Sequence, residues 1–164
     1  MIKELIRDKN SSFCFSDVQK FYNGQDKNYS PHLPERNKRD FSTHDLKILN
    51  YAYIHLGASF FRNLSVKFPD EFFLQRNGDT WFPMLWGEYG YGKYVQNCGF
   101  LAYRINEKGM WGSQNEQEKE ITRLIFACQM TSYLLKKGNI DAAINQAPRF
   151  NPIMLAYQRS IKSA

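Results

Sequence analysis

The chain has 164 residues, 43% of them hydrophobic and 23% charged, and carries a net charge of +6. That length builds one domain with a real core and is short for two. Three widely spaced cysteines (Cys14, Cys98 and Cys128) exclude a disulfide framework and offer no C-x-x-C metal pair. No apolar run nears the ~18–20 residues that span a bilayer, and the opening MIKELIRDK is charged where a signal peptide would be apolar. No membrane association is expected, and the expected setting is cytoplasmic.

Residues 1–41 carry the weakest pattern. MIKELIRDKN fits a short helical turn, and Ser16-Asp17 fits the cap of a short helix through Val18, Phe21 and Tyr22. The polar run that follows, with Gly24, Pro31 and Pro34, reads as a long loop. This part is expected to be an irregular segment packed on or beside the body, with 42–164 as a single helical domain. Its centre is a long helix over about 43–68. Ser42 is the N-cap, with Asp45 in the first turn, and Pro69 ends the run. Leu46, Leu49, Tyr53, Leu56, Phe60 and Leu64 recur every three or four residues and form one stripe. A rod of that length would span roughly 39 Å.

Beyond it, Thr80 caps a short helix over WFPMLW, and the glycines of WGEYGYG break it. A second stripe through Tyr91, Tyr94, Val95, Cys98, Leu101, Ala102 and Ile105 predicts a helix ending at Gly109, with Cys98 in the core. Ser113 to Glu116 reads as a capping box. It opens a helix with Ile121, Leu124, Ile125, Cys128, Thr131, Leu134 and Leu135 inward, closed by Lys136-Lys137-Gly138. A short helix over 139–146 and a last one from Asn151-Pro152 complete the reading. No period-two pattern persists, so the predicted fold is all-α, an irregular bundle around the long helix.

Gly87 to Lys93 fits the G-x-x-x-x-G-K frame of a phosphate loop. Tyr94 stands where a Ser or Thr would hold magnesium, and WFPML makes a poor buried strand, so the plainer reading is a Gly-rich turn. His32, His44 and His55 pair with no Cys, His or carboxylate at ligand spacing, so no metal is expected. Glu116, Glu118 and Glu120 suit a helix start. The expectation is no catalytic residue, no cofactor and no enzyme.

Charge and rings say more. Residues 121–164 hold six Lys and Arg (Arg123, Lys136, Lys137, Arg149, Arg159, Lys162) against one acid, Asp141. A basic face seeks an acidic partner, nucleic acid or protein. Trp81, Trp86 and Trp111 lie near Lys93, Arg104 and Lys108, a mixture that suits single-stranded nucleic acid, although buried Trp is commoner. The candidate contact residues are Lys136, Lys137, Arg149, Arg159, Lys162, Trp86, Tyr89, Tyr91 and Lys93.

Phe60-Phe61-Arg62-Asn63-Leu64-Ser65-Val66-Lys67-Phe68-Pro69 reads as a helix ending in Phe-Pro. Trp81 follows, then a helix with Lys93-Tyr94-Val95-Gln96-Asn97-Cys98-Gly99, then Lys108-Gly109-Met110-Trp111-Gly112-Ser113 leading into another helix. This order resembles the helicase-loader domain of the phage replication protein P family. The resemblance implies a non-enzymatic adaptor in DNA replication, of a phage or mobile element, that binds a replicative helicase. The alternative is a small basic module that binds DNA, RNA or a nucleoprotein complex, such as a defence or counter-defence component.

Overall fold

The computed structural model describes residues 1–22, 30–31, 35–48, 54–74, 78–106, 108–146 and 150. The helices are α1 (Ile2–Arg7), α2 (Thr43–Lys47), α3 (Asp70–Phe73), α4 (Trp81–Gly87) and α5 (Glu116–Lys136). The strands are β1 (Ser11–Phe15), β2 (Asp17–Tyr22), β3 (Ser30–Pro31), β4 (Ser59–Phe61), β5 (Tyr91–Tyr94) and β6 (Phe100–Ile105). The fold is therefore mixed α and β, which corrects the all-α expectation. The chain divides into two compact units, one from 1–67 with 79–106 and one from 68–78 with 107–164.

The first unit is organised on β1 and β2. Strand β1 pairs antiparallel with β4 and parallel with β5. Strand β2 pairs antiparallel with β3 and parallel with β6. Only Ser16 separates β1 from β2, and residues 95–99 separate β5 from β6. Both members of the parallel pair thus step together from one three-stranded sheet into the next. All five residues of β1 are buried, as expected of a central strand covered on both faces. The stretch read as irregular before residue 41 thus supplies the middle of both sheets; its expected opening turn is α1, and the helix expected after Ser16 is β2.

The long helix over 43–68 is not formed. Ser42 does cap a helix, and Asp45 completes a capping box with it, but α2 ends at Lys47. His55 Nδ1 accepts from Gly57 N at 3.0 Å and turns the chain at Leu56–Ala58. Strand β4 follows, with Phe13 opposite Phe61 and Cys14 opposite Phe60. The stripe predicted Phe60 inward, yet Phe60 is 43% exposed. Its neighbour Phe61 stacks on Phe13 at 5.2 Å and meets Trp86 edge-on at 5.0 Å. Adjacent residues on opposite faces are the mark of a strand. Leu49 and Tyr53 lie outside the described residues.

The predicted helix over 91–107 is also absent, replaced by β5 and β6. Asn97 (φ 57°) and Gly99 (φ 85°) sit in the left-handed region between them, which a helix could not pass through. Cys98 is exposed, not core, whereas Cys14 is buried and its thiol is pushed up by that burial.

In the second unit α5 begins two residues later than expected. Asn115 and Glu118 form the capping box, not Ser113 and Glu116. The buried residues of α5 are Ala127, Met130, Tyr133 and Leu134, so its inward face is rotated from the one expected. Ile125, Cys128 and Leu135 are exposed. Gly138, at φ 69°, ends the helix in the left-handed conformation expected of it. Residues 140–146 are helical, and Asn139 Oδ1 accepts from Ala142 N at 3.4 Å near the start. The helix expected from Asn151 lies outside the described residues.

Candidate nucleic-acid interface

The Gly-rich stretch is a packing joint. A phosphate loop runs from strand to helix, with its backbone N–H groups open to the ligand. Here α4 leads through the turn into β5, the reverse order. Four of the N–H groups are already spent. Glu88 donates to Leu85 O at 3.3 Å, Tyr89 to Trp86 O at 2.9 Å, Tyr91 to Asn10 O at 3.3 Å and Gly92 to Phe41 O at 2.9 Å. At Gly90 an added Cβ would strike the Asn10 carbonyl and lie 2.9 Å from Ser12 N, so glycine there serves close backbone approach.

Lys93 is held within a charged cluster. Its Nζ lies 3.3 Å from both Glu4 Oε2 and Asp8 Oδ2. Partial burial pulls the ammonium pKa down, but the hydrogen bonds to Glu4 and Asp8 outweigh it and the net shift is upward. The Tyr91 hydroxyl donates to Asp8. That bond, before the burial that opposes it, holds the Asp8 carboxyl below the usual range; the same bond pushes the Tyr91 hydroxyl up to about 12. Arg62 reaches the carbonyls of Leu5, Asp8 (2.7 Å) and Ser11 (2.6 Å), pinning α1 and its exit. The cluster is a brace for α1 on β5. An open cleft of about 610 Å³ lies beside it, lined by Asn10, Tyr91 and residues near α2, including Arg39 and Asp45. Arg39 is committed there, with its guanidinium 3.3 Å from the Asp45 carboxylate.

The remaining predicted contact residues divide between the two units. Trp86 is a core residue whose Nε1 donates to Arg62 O at 2.9 Å. Tyr89 is exposed. In the second unit Lys136 pairs with Glu71 at 2.5 Å. Ser132 also donates to Glu71, at 3.3 Å. The hydrogen bond from Lys136 holds the Glu71 carboxyl below its ordinary range. Lys137 Nζ lies 5.6 Å over the Tyr133 ring. Trp111 is partly exposed under the Arg123 guanidinium, 5.4 Å from its ring centre. Arg149, Arg159 and Lys162 lie outside the described residues. Tyr91, Trp86 and Lys93 are thus structural in their contacts.

The β2–β6 sheet supplies a face that the helical reading hid. Residues in register on adjacent strands share a face. One face carries Val18 with Leu101, Lys20 with Tyr103, and Tyr22 with Ile105. Val18 is buried there, Leu101 lies against Gly57, and the Tyr103 ring meets His55 at 4.6 Å. The opposite face carries Asp17 with Phe100, Gln19 with Ala102, and Phe21 with Arg104. Phe100 is 46% exposed, and Ala102 and Arg104 are exposed. Asp17 is occupied, accepting from the Tyr94 hydroxyl at 2.8 Å, with Lys38 at 3.9 Å. Burial, then this bond, pushes the Tyr94 hydroxyl pKa up. The signal that could have found this face is the alternation of Leu101, Tyr103 and Ile105 against Phe100, Ala102 and Arg104.

Among the described residues no three His, Cys, Asp or Glu side chains gather as a metal site, and no helix is long and apolar enough to cross a membrane. In comparisons with protein-family models, curated proteins and solved structures, nothing matches the chain.

Proposed function

We propose that this protein is a non-enzymatic binding module whose ligand is nucleic acid. The observation that carries the reading is one face of the β2–β6 sheet, where Arg104 is exposed beside the half-buried Phe21 and Phe100 lies further along the same strand. Apolar rings beside a guanidinium suit a polyanion that also carries flat bases. Charge supports the same partner. The first unit holds thirteen Lys and Arg against nine Asp and Glu, within a chain of net +6. A modest positive excess of this kind attracts phosphate through counterion release, so affinity must fall as salt rises. The test is fluorescence anisotropy with labelled oligonucleotides across a salt series. A linear decline of log affinity with log salt is expected; affinity indifferent to salt would overturn the reading.

A second reading, an adaptor that meets a protein partner, is favoured by apolar side chains open on the second unit. Phe73, Leu74, Ile125, Leu135 and Ile144 are all exposed there. Exposed apolar side chains mark protein contact where they form a single patch. The resemblance to helicase loaders adds no weight to it. Phe60-Phe61 and Lys93-Tyr94 belong to strands, where that likeness needs helices. Co-purification from the source cell, read by mass spectrometry, separates the readings: recovery with nucleic acid but no stoichiometric protein argues against the adaptor.

A further inference from the structure

We infer that the outward face of α5 is a self-association surface, on which two copies of this chain pair α5 against α5, antiparallel, about a twofold axis at Cys128. This goes beyond nucleic-acid binding and does not depend on it.

Spacing and exposure together define the face. Ile121, Ile125, Cys128, Ser132 and Leu135 recur at alternate intervals of four and three, so they form one seam along the helix. The core residues Ala127, Met130, Tyr133 and Leu134 lie on the other side of it. Ile125 is 44% exposed, Leu135 is 51% exposed and Cys128 is exposed, while Ile121 and Ser132 are half-buried. The seam runs about 21 Å at the usual helical rise. A cleft of about 360 Å³ opens beside it, lined by Cys128, Ser132 and the exposed Leu74 among others. The apolar surface thus continues from α5 into a groove at the end of α3.

Two features of the seam favour a second copy over a different protein. The first is shape. Ile121 and Leu135 each lie about two turns from Cys128, on opposite sides of it. A twofold axis at Cys128 therefore sets Ile121 of one copy against Leu135 of the other and brings the two thiols together. Helices that meet along such a seam cross at about 20°, shallow enough to keep contact over its length. The second feature is charge. Residues 116–120 hold three Glu against one Lys, and the exposed Lys136 and Lys137 stand at the opposite end of the helix. Antiparallel pairing lays the acidic start of one helix beside the basic end of the other and aligns the two helix dipoles favourably. A parallel pair would set Glu against Glu and Lys against Lys.

The experiment uses the whole chain in reducing buffer, free of nucleic acid, and reads its mass by light scattering from about 1 to 100 µM. A dimer is expected at the top of that range. Ile125→Lys should raise its dissociation constant at least about tenfold, because pairing would then bury an ammonium group. Ile125 is exposed, so the variant should keep the circular dichroism spectrum of the parent, which confirms that it is folded. Orientation is read in chains with Cys98→Ser and Cys128→Ser, carrying either Ile121→Cys or Leu135→Cys and treated with a short bismaleimide; Cys14 is buried. The antiparallel seam predicts cross-linked dimer in the mixture of the two chains and little in either alone. Equal cross-linking of each chain alone overturns the antiparallel arrangement. A dimer that Ile125→Lys leaves intact overturns the seam. A chain still monomeric at about 100 µM overturns self-association, and loss of a co-purifying protein on Ile125→Lys would then assign the seam to that protein. Each of these results leaves nucleic-acid binding to be judged by its own salt series.

Discussion

At the scale of single residues, Phe60 and Phe61 decide between the two accounts of the first unit. They are chemically identical neighbours with opposite surroundings. Phe61 is wedged among Phe13, Phe82 and Trp86, whereas Phe60 is 43% exposed. Truncating the half-buried Phe61 removes its contacts with three rings, so Phe61→Ala should cost about 2–3 kcal/mol. Phe60→Ala should cost under about 1 kcal/mol. Urea titrations of the two variants measure this directly. The reverse order would restore the helical stripe, in which Phe60 faces the core. The stripe misled because large apolar residues are frequent here, at 43% hydrophobic composition, and a three-and-four spacing arises among them without a helix. Gly90 carries a similar lesson. Its place in a G-x-x-x-x-G-K frame suggested phosphate, but the constraint comes from the Asn10 and Ser12 backbone lying against it.

At the scale of elements, local signals were read well where they act locally. The Ser42–Asp45 cap, the Gly138 exit and most of the extent of α5 were legible, since each depends on groups within one turn. The capping box of α5 makes a prediction of its own. Asn115 Oδ1 accepts from Glu118 N at 2.9 Å, and Glu118 Oε2 accepts from Asn115 N at 2.9 Å. Asn115→Ala removes the first of these bonds and should destabilise the helix start by about 1 kcal/mol. Ser113→Ala, at the position first read as the cap, should have little effect. Hydrogen exchange at the amide of Glu118 distinguishes them. The strands were not legible in the same way. Neither β5 nor β6 pairs with a neighbour in sequence; their partners β1 and β2 lie more than seventy residues earlier. Parallel pairs of this kind have no local turn to announce them. The helix face of α5 was likewise misplaced, because which side is inward depends on what packs against it.

At the scale of the molecule, the charged brace between α1 and β5 links stability to pH. Asp8 has a folded pKa below its unfolded value of about 3.9, so between the two the unfolded chain binds more protons and stability rises with pH. Its contribution is complete above about pH 5 and is lost as pH falls through the folded value. Asp8→Asn should therefore flatten the acid limb of a stability–pH curve and lower the plateau above it. Tyr91 acts with the opposite sign. Its pKa is raised from the ordinary value to about 12 by the same bond. The stabilisation it brings is complete below about pH 10 and disappears as pH climbs through about 12. Urea midpoints measured from acid to alkali for the parent and for Asp8→Asn check both limbs. An unchanged acid limb in the variant would show that the brace contributes nothing.

What the amino-acid order determined by itself were the features that nearest neighbours can settle. These are the helix caps, the glycine exit, the lack of a long apolar run and the absence of a disulfide framework. Only the tertiary structure decided which residues pair as strands and which way the rings point, and hence that Phe100 and Arg104 share one sheet face with Phe21. The reason is physical. A cap is satisfied within four residues, but a parallel strand is stable only when a distant segment completes its hydrogen bonds, and no window along the chain contains both halves.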